Sequence, residues 1–262
     1  MGVVNVTPDS FFDGGRFADP VAAVAQARRL IDEGADILDI GGESTRPGSE
    51  PVFADEQIRR VVPVIEQIRA LWPGPISVDT TRAAVAAAAL AAGANWVNDI
   101  SALRDDPEML PLVARLDCAV VLMHMQGTPR TMQVDPTYHD VVAEVSGFLS
   151  DRARMAESSG IPRDRIIIDP GIGFGKTLEH NLQLLRAIPR LVALGYPVLV
   201  GASRKSFIGR ITGAPPEERL EGSLVAAIRA VEAGAKIIRV HDVASTRRAL
   251  SVAAALTPKI PA

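Results

Sequence analysis

The chain has 262 residues, of which 47% are apolar and 23% are charged, and its formal net charge is −3 at pH 7. These values are typical of a globular protein, and they provide no broad positive surface that would attract nucleic acid or an anionic membrane. The chain holds a single cysteine, Cys118, which excludes an intrachain disulfide and leads us to expect a cytoplasmic protein.

The sequence carries no signal for export or membrane insertion. Its longest apolar run, residues 83–92, is too short to span a bilayer. The first residues, MGVVNVTPDSF, contain neither the basic start nor the long apolar core of a signal peptide. Since the sequence opens directly on a strand-like run, we also expect that a native N-terminal extension is missing from it.

Eight short runs rich in β-branched residues alternate with segments long enough for helices. Most runs are apolar throughout, as expected for strands buried on both faces. Eight such units in about 250 residues predict one domain over residues 1–262, a (β/α)8 or TIM barrel of parallel strands with outer helices. A doubly wound open sheet is the alternative. The runs are GVVNV (2–6), DILDI (36–40), PISVD (75–79), NWVND (95–99), AVVLMH (119–124), RIIID (165–169), PVLVG (197–201) and KIIRV (236–240), and the clearest helical segments are 19–33, 55–71, 138–159 and 222–232.

Three predicted junctions between a helix and the next strand share one pattern. They read EGAD (33–36), AGAN (92–95) and AGAK (233–236). Each places a glycine just after the helix, where a left-handed backbone conformation ends the last turn. The pattern therefore predicts three helix caps of the same kind.

Polar residues mark the C-terminal ends of all eight predicted strands, where barrels of this type build their active sites. A single strand-end Asp or Asn is as often a turn cap as a functional group. Polar groups at every end would be costly to desolvate if they bound nothing, so the set predicts a binding site. Its members are Asn5, Asp39, Asp79, Asn98, Asp99, His124, Asp169, Ser203, Arg204, Lys205, Arg239 and His241.

The predicted site has two chemical halves. Asp79, Asn98 and Asp169 offer acceptors and an amide, which suit a flat heterocycle with several N–H donors. The second half is cationic and suits a phosphate or pyrophosphate; it consists of Arg46, Lys205, Arg239 and His241. Asn5 is a candidate ligand for Mg²⁺, with the remaining positions taken by phosphate and water.

The segment IIIDPGIGFGKT (166–177) ends like a nucleotide-binding P-loop but lacks its spacing. A P-loop needs glycine five residues before Gly175, and this position is Pro170, which has no N–H for a phosphate. We therefore expect that Lys176 does not hold nucleotide phosphates.

Two long loops are rich in Gly, Pro and Ser, as hinged lids are. They follow the first and second strands at residues 7–17 and 41–51. Phe11 and Phe12 are adjacent in the first loop, and two aromatic side chains are costly on a solvated loop unless they cover something. The alternative is two plain surface loops.

Eight segments together resemble dihydropteroate synthase across nearly the whole chain: MGVVNVTPDSFFDGG, DIGGESTRPG, ISVDT, WVNDI, LMHMQGTP, DPGIGFGKT, GASRKSFIG and RVHDV. The resemblance implies a TIM barrel, usually homodimeric. It also implies an enzyme of folate biosynthesis, the target of sulfonamides, which mimic p-aminobenzoate. Assisted by Mg²⁺, the family joins 6-hydroxymethyl-7,8-dihydropterin pyrophosphate to p-aminobenzoate and releases pyrophosphate. The N-terminal hairpin that the family often carries is absent here.

The resemblance also implies residue roles. The pterin-binding residues would be Asp79, Asn98, Met123, Asp169, Lys205 and Arg239. The pyrophosphate-binding residues would be Asn5, Arg46, Arg239 and His241, with Asn5 also at the metal. The p-aminobenzoate site would contain Phe11, Thr45, Pro47, Phe174 and Ser206. The catalytic residues would be Asp39, Asp79, Lys205 and Arg239.

The family resemblance favours a dissociative substitution in which pyrophosphate leaves before the amine attacks. Four rivals remain open. Lys205 could form a Schiff base, as in barrel aldolases. A pterin-dependent methyltransferase and an inactive pterin-binding paralogue are two more. A metal hydrolase is the fourth, although His124 and His241 lack companion ligands at suitable spacing.

Overall fold

The structure, a computed structural model, describes residues 1–7, 20–44 and 48–256. The described strands are β1 (Gly2–Asn5), β2 (Leu38–Gly41), β3 (Ile76–Asp79), β4 (Trp96–Asp99), β5 (Ala119–Met123), β6 (Ile166–Asp169), β7 (Leu199–Val200) and β8 (Ile237–Ile238). The described helices are α1 (Pro20–Asp32), α2 (Ala54–Leu71), α3 (Ala83–Ala91), α4 (Met109–Arg115), α5 (Val141–Ser158), α6 (Leu178–Arg186), α7 (Ile188–Val192), α8 (Ser206–Thr212), α9 (Leu220–Glu232) and α10 (Val243–Leu256).

The strands are parallel and follow one another in chain order. β1 to β6 form one sheet, and β7 pairs with β8 in a second. Single bridges, Ile168 with Val198 and Gly2 with Val240, join the two sheets at two seams, β6–β7 and β8–β1. The fold is the predicted (β/α)8 barrel, and the doubly wound alternative is wrong, since such sheets reverse their strand order. At the seams the ring is joined by single bridges and not by continuous ladders.

The last two strands are shorter than predicted. Five residues were expected in each, and the structure gives two. Pro197 has no N–H for a ladder, and Val198 and Val240 make isolated bridges to the neighbouring sheet instead. The C-terminal ends of both strands therefore pass early into the loops that carry the predicted cationic residues.

Alternating residues of each strand divide the core into two regions. One set, which includes Ile40, Val78 and Leu122, packs under the helices in the main hydrophobic cluster. The other set faces inward, and its lower layer joins Val121, Ile167 and Leu199 in a separate cluster. Since successive strand residues point to opposite faces, the next inward residues lie one layer higher. Most of them are polar, although Met123 and Gly201 follow Val121 and Leu199. This change from apolar to mainly polar residues along the inner face positions the site.

The four helices with predicted bounds, α1, α2, α5 and α9, begin and end within three residues of those bounds. α2 carries Asp55 and Glu56 in its first turn, which suits the positive end of the helix dipole. The predicted junction glycines Gly34, Gly93 and Gly234 all have positive φ, between 90° and 110°, and this confirms the three predicted caps. No helix of the described ranges is long and apolar enough to cross a membrane.

Candidate active site

A cavity opens at the C-terminal ends of the strands, where the sequence predicted a site. Asp79, Asn98, Met123 and Asp169 reach it from four neighbouring strands, β3 to β6. The rest of its wall comes from the loops after β4, β6, β7 and β8. The lining residues beyond those four are Ile100, Gly171, Ile172, Phe174, Gly201, Ser203, Lys205, Arg239 and His241.

Arg239 crosses the mouth between two carboxylates. Its Nε lies 2.6 Å from Asp39 Oδ2, and its Nη2 lies 2.9 Å from Asp79 Oδ2. Asn98 Nδ2 donates to the same Asp39 oxygen at 3.0 Å. Asp39 is fully buried beneath the cavity and is not part of its lining, so it contacts the residues that line the site. Its Oδ1 is buried and has no hydrogen-bond partner among the residues that the structure describes.

Burial and charge act against each other in this ion-pair network. Desolvation disfavours the charge on Arg239, but Asp39 and Asp79 outweigh it and hold its pKa above the usual value. Desolvation raises the pKa of Asp79, and Arg239 opposes that rise. The guanidinium therefore stays charged, and Asp39 and Asp79 are the groups that stabilise its charge.

Asp169 and Asn98 are the other polar acceptors of the mouth, and both are at most 5% exposed. Asp169 Oδ1 accepts the N–H of Gly171 at 2.7 Å. Burial raises the pKa of this carboxyl to about 6, against the opposing effects of the Gly171 hydrogen bond and of Lys205. Met123 packs beside them with Phe174 in an apolar cluster, which supplies a wall for a flat ring.

Lys205 lies over the ring of Phe174, with Nζ 4.1 Å from the ring centroid. Burial, together with Arg239, lowers the pKa of this amine to about 8, although Asp169 and Asp79 oppose the shift. Gly173 has φ of 85°, and a Cβ there would come within 3.1 Å of the Lys205 side chain. The glycine thus leaves room for the lysine to reach the cavity.

His241 follows β8, and its Nδ1 lies 3.0 Å from Ser203 Oγ. Desolvation and the nearby guanidinium groups of Arg239 and Arg204 lower the pKa of His241 to about 4, so the imidazole is neutral at pH 7. A bound anion would reverse this balance and favour the imidazolium.

An ion pair ties the two cationic loops together behind the mouth. Arg204 pairs with Asp242 through two contacts, of 2.9 Å and 2.6 Å. Its backbone has φ of 56°, an uncommon value for a residue with a side chain. Ser223 Oγ accepts its N–H at 2.9 Å, and Arg219 donates to its carbonyl at 3.1 Å. We call this set of contacts the Arg204 latch.

Asn5 ends β1 and is partly buried, at the strand position that pairs with Gly41. No cluster of three or more His, Cys, Asp or Glu that could hold a metal ion occurs within residues 1–7, 20–44 and 48–256. A magnesium ion would therefore depend on Asn5, phosphate oxygens and water, a set that suits its preference for oxygen and for retained waters.

Several predicted residues are not among those that line the cavity. Ser206 begins α8 and is exposed. Phe11, Phe12, Thr45, Arg46 and Pro47 lie outside the described residues, so their predicted roles stay predictions.

Two strand-end residues that were candidates for the site serve the protein interior instead. Asp99 accepts from the backbone N–H of Ser101 at 2.7 Å and of Leu103 at 3.1 Å, as a turn cap does. His124 is buried, and its ring packs edge-to-face on Phe148 at 4.9 Å. The capping alternative, weighed for every strand end, is therefore the right one at Asp99.

Sequence reasoning missed two apolar contributors to the lining, Ile100 and Ile172. Ser203 was among the predicted strand-end residues but was given no individual role. Each isoleucine lies one to three residues from a predicted polar residue on the same strand or loop. Side-chain alternation after β4 and β6 is the signal that could have found the two isoleucines.

Comparison with known proteins gives a consistent result over the whole chain. A family profile described as a pterin binding enzyme matches residues 1–241. The dihydropteroate synthase of Synechocystis sp. is 48% identical over 257 residues, which cover 98% of this chain and 89% of that protein. The dihydropteroate synthase of Neisseria meningitidis serogroup B is 49% identical, with 98% and 92% covered.

Solved structures agree in fold and in sequence. Xanthomonas albilineans dihydropteroate synthase with 4-aminobenzoic acid has a TM-score of 0.92 and 53% identity, covering 98% of this chain and 93% of that chain. The same enzyme in complex with 7,8-dihydropteroate has a TM-score of 0.88 and 50% identity, with 98% and 94% covered. A Yersinia pestis dihydropteroate synthase in a sulfonamide drug complex has a TM-score of 0.92 and 43% identity, with 97% and 92% covered.

Proposed function

The chain belongs to the pterin binding enzyme family, in the branch of the dihydropteroate synthases, and we propose that it condenses 6-hydroxymethyl-7,8-dihydropterin pyrophosphate with p-aminobenzoate. The products are 7,8-dihydropteroate and pyrophosphate. The observation that carries this proposal is the pairing of Asp79, Asn98 and Asp169 with Lys205 and Arg239 around one cavity. Acceptors and cations in one mouth suit a substrate with an N–H-rich ring and a phosphorylated tail.

The pterin ring binds on the acceptor half. Asp169 and Asp79 accept hydrogen bonds from its N–H edge, and the Asn98 amide completes the edge. Lys205 reaches a ring oxygen or nitrogen from the opposite side, while Met123 and the Arg239 guanidinium flank the two faces. Asp39 acts through Arg239 and Asn98, because it positions these two side chains by contacts of 2.6 Å and 3.0 Å.

The pyrophosphate binds on the cationic half. Arg239 and His241 are within the described mouth, and Asn5 and Arg46 complete the proposed set. A Mg²⁺ ion held by Asn5 together with phosphate oxygens and water would neutralise part of the phosphate charge.

The reaction breaks the C–O bond at the pterin methylene carbon and then forms the C–N bond. Arg239 and His241 stabilise the negative charge that grows on the leaving pyrophosphate. Asp79 and Asp169 offset positive charge on the ring after departure. The aromatic amine of p-aminobenzoate is largely neutral at pH 7 and attacks without an enzyme nucleophile. The proton that its nitrogen loses after the C–N bond forms goes to the released pyrophosphate or to water, so Lys205 acts as a donor and not as a base.

The p-aminobenzoate subsite lies beside Phe174, with Ser206 at the start of α8 and with Phe11, Thr45 and Pro47 from the two loops. The sulfonamide complex of the Yersinia pestis relative supports competition by such drugs here. A cytoplasmic location and the extent of one domain over 1–262 remain predictions from the sequence.

A homodimer is the proposed assembly, and an apolar groove between α6, α8 and α9 supports it. The groove has a volume of about 820 Å³ and includes Ile211 and Val225, which are 58% and 60% exposed. Arg186, Arg229, Glu221 and Glu232 also line it. Both charge signs on one face allow a second copy, related by a two-fold axis, to pair arginine with glutamate.

The test is pyrophosphate release from the dihydropterin pyrophosphate with Mg²⁺, with and without p-aminobenzoate. We expect release that depends on p-aminobenzoate, with dihydropteroate detected by mass spectrometry. Pterin binding without turnover would instead favour the inactive paralogue, and methyl transfer from methyltetrahydrofolate would favour the methyltransferase. A borohydride-trapped adduct at Lys205 with a carbonyl metabolite would favour the Schiff-base alternative.

A further inference from the structure

Lys176 is buried to 3% exposure, and the reaction as derived above does not use it. Its Nζ makes three hydrogen bonds, all to the protein. It donates to the carbonyl oxygen of Phe174 at 2.8 Å and to the carbonyl oxygen of His124 at 3.3 Å, and it lies 3.1 Å from His124 Nδ1. An ammonium group has three donors, so this environment satisfies all of them.

The acceptors belong to two different loops. His124 follows β5, and Phe174 lies in the loop after β6, which we call the glycine loop (residues 170–177). Lys176 therefore joins the exits of two neighbouring strands. The backbone N–H of His124 also donates to the Asp169 carbonyl at 3.0 Å, so the segments after β5 and β6 are already in contact at the base of the loop.

The glycines of this loop permit a contact that no side chain would allow. A Cβ on Gly171 would lie 2.0 Å from the His124 carbonyl oxygen, and one on Gly175 would lie 2.6 Å from that of Gln126. Both glycines also have positive φ, of 66° and 63°. The motif that resembles a P-loop thus packs one backbone onto another. Three polar side chains hold it on the segment after β5: Lys176 itself, Gln133, which donates to the Gly173 carbonyl at 2.7 Å, and Tyr138, which donates to the Gly175 carbonyl at 2.8 Å.

The three acceptors around Nζ suit Lys176 as an ammonium group. In that state its third N–H donates to Nδ1, which makes His124 neutral with its proton on Nε2. Burial and the nearby Lys176 lower the pKa of His124 to about 3, in agreement with this assignment. Burial also lowers the pKa of Lys176 to about 7, partly opposed by Asp169.

The loop that Lys176 fastens carries Phe174 into the cavity. The ring of Phe174 lies in van der Waals reach of the mouth residues and beneath the amine of Lys205. Neighbouring positions of the loop are also held, since Asn181 Oδ1 accepts the Gly173 N–H at 2.7 Å. Within residues 1–7, 20–44 and 48–256, Lys176 is the side chain that donates to the Phe174 carbonyl, and it links this carbonyl to His124 after β5.

We propose that Lys176 is a positioning residue for the second substrate: by holding the Phe174 carbonyl against His124, it fixes the aromatic wall of the p-aminobenzoate subsite. This inference rests on the proposed function for its kinetic consequence. Its structural consequence, a glycine loop held on the β5 exit, does not depend on the reaction.

The experiment compares Lys176→Met, which keeps the length of the side chain and removes its donors, with the wild-type protein. We expect the KM for p-aminobenzoate to rise about tenfold, because a displaced wall misplaces the attacking amine. The KM for the pterin pyrophosphate should change less than threefold, since its proposed partners Asp169 and Asn98 lie on strands and not in the glycine loop. Backbone amide exchange in residues 171–177 should become faster.

His124→Asn and His124→Leu form a matched pair, because Asn retains an acceptor near the Nδ1 position and Leu does not. We expect Asn to keep a KM for p-aminobenzoate closer to wild type than Leu does. Ile65→Val in α2, a core change far from the site, controls for lost stability alone.

Unchanged amide exchange at 171–177 in Lys176→Met would overturn the inference, whatever the activity. Equal rises in both KM values, or the same split in Ile65→Val, would overturn it as well. A wild-type protein that releases no pyrophosphate would refute the proposed function instead, and the exchange measurement would still decide the role of Lys176.

Discussion

Asp169 illustrates how one carboxylate can serve both the fold and a ligand. Its Oδ1 is occupied by the N–H of Gly171, which leaves Oδ2 as the acceptor for a bound ring. Because it is only 5% exposed, water cannot replace a lost partner there. The residue also titrates in an accessible range, with its pKa raised to about 6 by burial.

Asp169→Asn keeps the bond to Gly171 and removes the charge. We expect pterin affinity to fall about 100-fold, since a hydrogen bond to a charged group contributes roughly 1.5–3 kcal/mol. Wild-type affinity should weaken about tenfold from pH 7.5 to 5, as the carboxylate is protonated. Calorimetric titration with a pterin at both pH values tests this, and an equally steep pH dependence in the variant would contradict it.

The raised pKa of Asp169 makes the pH dependence of folding opposite to that of pterin binding. The folded state binds this proton more tightly than the unfolded chain does. The contribution of Asp169 to the free energy of unfolding is therefore fully present below the unfolded pKa and is lost as the pH rises through about 6. The carboxylate that we expect to bind the ligand at pH 7 therefore lowers the stability of the fold when no ligand is bound.

Arg239→Lys tests the leaving-group role at the residue scale. Lysine keeps a charge but cannot bridge Asp39 and Asp79 at once, as the guanidinium does. We expect kcat to fall by about 10² to 10³, the usual effect of losing one stabilising donor in a transition state. Thermal unfolding must be measured alongside, because unpaired buried carboxylates destabilise. A normal kcat with an altered KM would argue for ground-state binding only.

At the scale of loops and helices, the Arg204 latch connects the segments after β7 and β8. Lys205 and Ser206 follow it directly on one side, and His241 precedes Asp242 on the other. Arg204 and Asp242 are 37% and 22% exposed, so the pair contributes at most about 1 kcal/mol to stability. Its effect on the geometry of the two cationic loops should be larger than its effect on the fold.

Asp242→Asn should therefore lower kcat/KM about tenfold while the melting temperature changes little. The matched control is Asp151→Asn, which breaks the exposed Arg154–Asp151 pair on α5 and touches neither loop. Equal losses in the two variants would show that the latch has no special role.

Strand ends were predictable from sequence, and contacts between distant elements were not. Parallel strands bring their C-terminal ends to one side of a barrel, so Asp79, Asn98 and Asp169 could be grouped without coordinates. Arg239 and Asp39 are 200 residues apart, and nothing in their local sequence encodes a 2.6 Å contact. The bond between Lys176 and His124 also depends on how two loops pack, and the spacing of the motif could exclude a P-loop but could not supply this partner.

For the whole molecule, the eightfold alternation was enough to predict the barrel, because strands buried on both faces need a helix between each pair. The two seams were not predictable. They depend on whether Val198 and Val240 extend a ladder of hydrogen bonds. At the β6–β7 seam the N–H that Pro197 lacks matters as much as the apolar pattern.

The oligomeric state is a property of the whole molecule. Val225→Glu places a charge in the apolar groove between α6, α8 and α9, and we expect it to convert a dimer into a monomer. Sedimentation velocity would measure the change. Val252→Glu on α10, at the same 60% exposure, is the control and should leave the mass unchanged. A wild-type protein that sediments as a monomer would refute the dimer.

The position of Arg239 between two carboxylates affects which anions can bind to it inside a cell. Inorganic phosphate is abundant there, and it would bind to a cationic pocket whose charges had no carboxylate partners. In this protein an anion that binds Arg239 must compete with Asp39 and Asp79 for the guanidinium. A ligand that carries both an N–H-rich ring and a phosphate offers new partners to Asp79 and to Arg239 together, whereas free phosphate offers one to Arg239 alone. We therefore expect the site to bind such a ligand in preference to free phosphate.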